Sequence, residues 1–320
     1  MIHQVRVLSA VLLVLSSSAC TRLHTTSGAG DRAPEARRSV LDREVPALLT
    51  EQIIPSVSIA QIEDGRIVMA AAYGEQSPGV PVSTTSLYNI ASMAKPISAE
   101  VVLRLASQGR LSLDEPMYRY WTDPDIAHDE RHKLLTPRLA LSHQTGFANW
   151  RRETGGVLTF KHAPGAAYGY SGEGIEYVAR FTEKKTGAGF ETLAQTLVFD
   201  PIGMRQTAYT RRPWFEGRIA VPTDVAGKSL EPMIAGHYIA SDLVYSTATD
   251  YATFMLSLMH DTALSDDVAR ARRTIQVPSG KAKVCAAAQT RAYCPKGFGF
   301  GLGWEVIQFE DATYLMHTGV

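Results

Sequence analysis

The chain has 320 residues, with 32 Lys+Arg against 32 Asp+Glu and a formal net charge of zero. At roughly 150 residues per domain this length suits two domains or one large one, and no basic excess exists to hold a nucleic acid by bulk charge. Hydrophobic residues at 45% and charged residues at 20% exclude a disordered chain, and three cysteines are too few for a disulfide scaffold.

Residues 1–19 read as a signal peptide. His3 and Arg6 give a polar, basic start, Val7 to Leu15 is mostly apolar, and Ser16 to Ala19 is a small-residue stretch. The layout is that of an export signal and is too short for a membrane span. Cys20, directly after Ala19, resembles a bacterial lipoprotein cleavage site, although Ser17 stands where such sites prefer Leu. Cys20 is therefore a candidate lipid anchor; the alternative is ordinary signal cleavage beside an incidental cysteine. Residues 20–38 are polar and read as a tether, leaving 39–320 as one domain. Export permits disulfides, and with Cys20 lipidated Cys285 and Cys294 remain as an even pair. They are a candidate disulfide, with two unpaired thiols as the alternative.

From Arg38 to about Glu51, the residues Val40, Leu41, Val45, Leu48 and Leu49 follow helical spacing. Ser56 to Gln61 and Arg66 to Tyr73 are strand-like runs joined by Asp64-Gly65, a hairpin signal. Residues 78–85 are loop. Met93, Ile97, Val101 and Leu105 then fall four apart on one helix face, and Pro96 fits only in the first turn. The helix should begin at or just before Ser92 and stop at Gly109. Helical patterns recur at 175–186, 190–199 and 249–260, and strand-like runs return at 299–306 and 313–317. Strands at both ends with helices between them predict one sheet built from both ends of the domain, with a helical insertion.

The strongest chemical signal is Ser92-Met93-Ala94-Lys95. Residues three apart share a helix face, so Lys95 reaches the Ser92 hydroxyl. A serine becomes nucleophilic when a base takes its proton, and a lysine serves once burial or neighbouring cations lower its pKa from about 10.4. The helix start also aims backbone N–H groups at a developing oxyanion. By itself the motif is common on helices. Tyr170-Ser171-Gly172 and the late His317-Thr318-Gly319 add to it.

An S-x-x-K, then a Y-S-x, then a strand ending in Lys- or His-Thr-Gly is a pattern that resembles the penicillin-recognising serine hydrolases. Further stretches agree. Leu141 to Phe147 resembles the family's LLTHTSGL, Asp200 to Met204 its DPLGM, Ser246 to Asp250 its STAxD, and Phe298 to Trp304 its YGLGW strand. The resemblance spans about Glu44 to Val320 and is nearest to the class C β-lactamase-like group of β-lactamases, D-Ala-D-Ala carboxypeptidases and carboxylesterases. It implies an α/β (α+β) fold of the β-lactamase/transpeptidase type, a mainly antiparallel sheet flanked by helices with a helical insertion. It implies that Ser92 attacks a carbonyl while Lys95 and Tyr170 share the proton traffic. The oxyanion would sit between the backbone N–H groups of Ser92 and Val320, and His317, Thr318 and Gly319 would face the substrate. No metal or organic cofactor is implied. The substrate would be a small molecule or peptidoglycan-derived, and the protein a periplasmic or cell-envelope lipoprotein of a bacterium.

Several departures bear on this. Gly172 stands where the group's β-lactamases usually have Asn, and His317 where they usually have Lys. Gly172 has no amide to hold a substrate carbonyl, and a histidine with a pKa near 6.5 is mostly neutral at pH 7. Both changes favour an esterase or peptidase over efficient β-lactam hydrolysis. A binding or sensing protein on the same fold is the non-enzymatic alternative. Relatives continue past His-Thr-Gly with at least one more strand and a C-terminal helix. The stop at Val320 therefore leads to the expectation of a truncated, partial sequence, or else of a damaged protein with an exposed strand edge.

Other features have plainer readings. Gly169 to Glu173 lacks the second glycine of a nucleophile elbow, and there is no candidate for the extra glutamate base of class A enzymes. His128 and His132 are spaced like a zinc helix motif, but Asp129 replaces the Glu, so a solvated loop is expected. His143 is expected to support the fold by hydrogen bonding. Arg270 to Arg273 is expected to be an exposed helix face.

Overall fold

A computed structural model describes residues 32–279 and 294–320. Residues 1–19, Cys20 and Cys285 lie outside the described residues. Helix α1 (Arg32–Gln52) starts ahead of the Arg38 expected from the apolar spacing, so the end of the stretch read as a tether is helical. Apolar spacing marks only the turns that touch the hairpin, where Val45 and Leu49 are buried. The earlier turns are held by charge instead: Arg37 pairs with Glu63, and Arg38 with Asp42.

Strands β1 (Ser56–Glu63) and β2 (Arg66–Ser77) form the expected hairpin, with Glu63 opposite Arg66. Its two-residue turn needs positive φ at both positions, and Asp64 and Gly65 supply 50° and 72°. The short β3 (Val80–Pro81) pairs with the end of β2, and β4 (Tyr88–Asn89) leads to the site.

Helix α2 (Ala94–Ser107) is the axis of the domain, buried on every side from Ala94 to Leu105. The sequence pattern shows one apolar face only. The other faces are polar residues with internal partners: Ser98 donates to the Ala240 carbonyl at 2.6 Å, and Glu100 accepts from Arg272 at 2.7 Å. Around α2 lie α3 (Pro137–Leu141), α4 (Gly172–Thr186), α5 (Phe190–Ala194) continued through a π turn, and α6 (Asp200–Ile202). Strand β5 (Tyr245–Ser246) pairs with β4. Helix α7 (Ala248–Met259) packs on the hairpin, its first turn capped by the Thr247 hydroxyl, which accepts from the Asp250 N–H at 3.1 Å.

Helix α8 (Asp266–Arg273) corrects one expectation. Arg272, expected on an exposed face, is 1% exposed. It donates to Glu100 on α2 and to the Leu258 carbonyl, both at 2.7 Å, and pairs with Asp261. A run of arginines suggests solvent, but a buried carboxylate on a neighbouring helix overrides it.

The strand run expected over 299–306 is a hairpin, β7 (Gly297–Phe300) and β8 (Glu305–Gln308). These lie between β6 (Val277–Pro278) and β9 (Thr313–Met316) in an antiparallel sheet ordered β6-β7-β8-β9. The turn between β7 and β8 rests on α2, since a β-carbon on Gly303 (φ 82°) would overlap Ala99. The expectation of one sheet built from both ends is corrected: β1-β2-β3 and β6-β7-β8-β9 do not pair with each other among the described residues. Alternation specifies which face of a strand is buried, not which edge finds a partner.

We expect Arg272→Ala to reduce unfolding free energy by about 3–5 kcal/mol, because it strands a buried carboxylate. The check is the midpoint of urea denaturation. A loss below about 1 kcal/mol would contradict the pairing.

Candidate active site

The site starts where β4 ends. The Asn89 side chain accepts a hydrogen bond from the Ala91 N–H at 3.0 Å, and Ala91 holds φ at 46°. A non-glycine residue is strained there. A tight 3-10 turn, Ala91–Met93, then carries Ser92 into α2. Ser92 thus sits in this turn and not in the α-helix proper. Side chains three apart eclipse in a 3-10 turn, which brings Lys95 to Ser92. The Lys95 Nζ donates to Ser92 Oγ at 2.9 Å and to the Ser241 carbonyl at 2.7 Å. Lys95 is fully buried. Burial pulls its pKa down to about 8, against an upward pull from the Asp242 and Glu176 carboxylates.

Tyr170 lies across the pair. Its ring centroid is 4.9 Å from Lys95 Nζ, and the Ser92 side chain acts on its hydroxyl. Burial holds the phenol well above its ordinary pKa, and the nearby Ser92 hydroxyl offsets only part of that rise. The segment behind Tyr170 is fixed at two points. Ser171 Oγ caps α4 by accepting from the Gly174 N–H at 3.0 Å, and it donates to the Ala148 carbonyl at 2.7 Å. The Ser171 N–H donates to His143 Nδ1 at 3.0 Å, while the His143 ring packs on Tyr170 with centroids 4.4 Å apart. His143 supports the fold by hydrogen bonding, as expected. Its burial, together with repulsion from His317 and Lys95, keeps the imidazole neutral.

The strand end lies alongside. A β-carbon on Gly319 would overlap the Ile90 carbonyl and come within 3.3 Å of Ala91 Cβ and Met93 N. Residues 317–320 therefore run against the turn that carries Ser92, with Thr318, Gly319 and Val320 exposed. Burial pushes the His317 imidazole down to about 4, so it is uncharged at pH 7. Its Nδ1 is 2.7 Å from the Thr318 carbonyl, and its Nε2 is buried without a hydrogen-bond partner among the described residues. Gly172 is closely enclosed: an added β-carbon would come within 3.1 Å of the Asn149 carbonyl and the Trp150 ring, so one of them would have to yield by a few tenths of an ångström.

Three residues at the site carry no signal in the sequence. Asp242 Oδ1 lies 3.4 Å from Ser92 Oγ. Ser241 receives Lys95 on its carbonyl. Glu176 on α4 accepts from the Ser241 N–H at 2.8 Å and from its hydroxyl at 2.7 Å. Asp242 is 150 residues from Ser92 in the chain, and only the fold joins them. Other sequence candidates lie elsewhere. His132 Nδ1 contacts the Asp129 carbonyl of its own turn, and among the described residues no group of three or more His, Cys, Asp or Glu is placed to hold a metal. Cys294 is disulfide-bonded. Among the described residues no helix is long and apolar enough to cross a membrane.

A hydroxyl held by a buried amine, faced by a phenol and flanked by a strand end, belongs to a serine hydrolase. The chain belongs to the β-lactamase family: the Beta-lactamase family model matches residues 41–320. Among its relatives is the esterase EstB of Burkholderia gladioli, 25% identical over 272 residues, which cover 73% of this chain and 68% of EstB. Another is penicillin-binding protein 4 of Amycolatopsis lactamdurans, 24% identical over 298 residues, covering 85% of this chain and 76% of the relative. The crystal structure of the D-alanine carboxypeptidase AmpC from Burkholderia cenocepacia superposes with a TM-score of 0.70 at 22% identity. It covers 87% of this chain and 76% of that one. The fold is therefore β-lactamase/transpeptidase-like, as the sequence motifs imply.

Gly319→Ala should push the strand end away from Ser92. Overpacking of this kind costs about 1–3 kcal/mol, so labelling of Ser92 by a fluorophosphonate should slow roughly 10- to 100-fold. An unchanged rate would show that residues 317–320 are free to move off the turn.

Proposed function

We propose that this protein hydrolyses an ester or amide through an acyl-enzyme on Ser92, and that it acts as an esterase or peptidase. The observation that carries this reading is the 2.9 Å hydrogen bond between Lys95 Nζ and Ser92 Oγ, made by an amine whose pKa burial brings down to about 8. Tyr170 stays protonated in the neutral range because burial raises its pKa. Lys95 is therefore the base and Tyr170 the relay.

Ser92 Oγ bonds to the substrate carbonyl carbon as its proton passes to neutral Lys95. The backbone N–H groups of Ser92 and Val320 receive the oxyanion. The carbon–oxygen or carbon–nitrogen bond to the leaving group breaks, and the proton returns through Lys95 and Tyr170 to that group. Water then repeats the sequence, delivering hydroxide to the acyl carbon and a proton to Ser92. Thr318 and Gly319 line the leaving-group side with His317.

Two observations favour esters and simple amides over β-lactams. Gly172 offers no side-chain amide, and Trp150 fills the space beside it. His317 is uncharged at pH 7 and gives no cation for a substrate carboxylate. The likeness to penicillin-binding protein 4, to the D-alanine carboxypeptidase AmpC and to a β-lactamase of Pseudomonas fluorescens supports a second reading, a β-lactamase or a D-Ala-D-Ala carboxypeptidase acting on peptidoglycan-derived substrates. Residues 1–19 support export, and Cys20 a lipid anchor in the bacterial periplasm or cell envelope.

Intact-mass spectrometry after incubation with a short-chain p-nitrophenyl ester or a chromogenic cephalosporin separates the readings. The ester should add its acyl mass to the protein and Ser92→Ala should abolish the adduct; a cephalosporin turned over faster than the ester would favour the second reading. The pH profile follows from Lys95. Only the neutral amine accepts a proton, so acylation should rise about tenfold per pH unit below about 8 and level off above it. Lys95→Arg should lose roughly 10²–10⁴-fold in acylation rate. A flat profile between pH 6 and 8 would remove Lys95 as the base.

A further inference from the structure

We infer that Asp242 sets the charge preference of the acyl pocket, so that the preferred acyl donor carries an ammonium group near the scissile carbonyl. The inference rests on the reading of Ser92 as the acylated residue. Asp242 Oδ1 is 3.4 Å from Ser92 Oγ. An acyl carbon bonded to that oxygen stands about one bond length farther on, so groups on the next two carbons come within charge-contact range of the carboxylate. Asp242 is half-buried and makes no ion pair among the described residues. Its environment disfavours its own charge through desolvation, which Lys95, Ser92 and Arg152 offset only in part. A partly desolvated carboxylate without an ion-pair partner is stabilised by a substrate cation.

The remaining charges do not cancel this preference. Lys95 is committed to Ser92 Oγ and the Ser241 carbonyl, and it meets the substrate as the neutral amine because only that form accepts the Ser92 proton. Arg152 is exposed, and its guanidinium lies over the Trp150 ring at 5.6 Å, where solvent screens it. Glu176, behind Ser241, and Glu305, which acts on Tyr170, add carboxylates and not cations. His317, whose ring lies 6.3 Å from that of Tyr170, is uncharged at pH 7. The site thus holds the Asp242 carboxylate beside Ser92, while Lys95 is engaged and Arg152 is exposed. Aminoacyl esters and amides fit this arrangement, and acyl groups ending in a carboxylate do not.

The test uses three phenyl esters of nearly equal size: butanoyl (neutral), β-alanyl (cationic) and succinyl (anionic), with the Ser92→Ala rate subtracted as blank. Ratios of kcat/KM to the butanoyl ester cancel any change that Asp242 variants cause in Lys95. We expect the full chain to prefer β-alanyl over succinyl by at least about tenfold at low salt. Asp242→Asn should bring both ratios toward one, and Asp242→Glu should keep the preference. Equal ratios in wild type and Asp242→Asn, or a wild-type preference for succinyl, would overturn the inference. Should the variants fail to fold, as a melting curve would reveal, wild type alone decides: a cation preference that shrinks between low salt and 1 M salt supports the inference, and one that is absent or unchanged overturns it. If wild type turns over the butanoyl ester no faster than Ser92→Ala does, the hydrolase reading fails and takes this inference with it; normal turnover with flat ratios removes the inference alone.

Discussion

The molecule is organised around an amine that has been taken out of water. An ammonium group without acceptors in a protein interior is too costly to persist, so the acceptors of Lys95 dictate where the surrounding chain runs. One acceptor, Ser92 Oγ, comes from the turn that precedes α2; the other, the Ser241 carbonyl, comes from a segment far along the sequence. That segment is held in turn by Glu176 on α4 and by Ser98, which donates to Ala240. The nucleophile, its base, the neighbouring helix and the far segment are thus one hydrogen-bonded unit. The same burial that requires these partners brings the amine into the range where it exchanges protons.

How much of this was legible in the sequence depends on how local each feature is. Ser92 and Lys95 are three residues apart, so a spacing rule suffices to pair them. The hairpin at Asp64-Gly65 and the stop at Gly109 are likewise local, because positive φ leaves a residue signature. Tyr170 and His317-Thr318-Gly319 are remote from Ser92, and only their order along the chain, compared with a family pattern, suggested a meeting. Asp242 and Glu176 were invisible, since a lone carboxylate has no pattern until the fold gives it a neighbour. Arg272 was misread because charge predicts exposure on average, and its partner Glu100 lies 172 residues away. Strand pairing was misread because backbone edges, which choose partners, leave no trace in side-chain alternation.

Two imidazoles stand near the reaction centre, and neither carries charge at neutral pH. His143 is held neutral by full burial and by its role as acceptor for the Ser171 N–H. His317 is held neutral among Tyr170, Phe300 and the strand end. With both silent, the electrostatics of the cleft reduce to the amine, the carboxylates beside it and an exposed guanidinium. Aromatic rings form the wall that makes this possible: Phe300 packs against His143 at 4.5 Å and against Tyr168 at 5.7 Å, keeping water from the imidazoles.

The crowding at Gly172 constrains how this lineage can change. A side chain introduced there meets the Asn149 carbonyl and the Trp150 ring before it meets any ligand. An amide at that position is therefore admitted only as far as the indole or the backbone at Asn149 can yield by a few tenths of an ångström. The side chain at 172 and the seat of the Trp150 ring are thereby coupled, because the first can grow only where the second gives way.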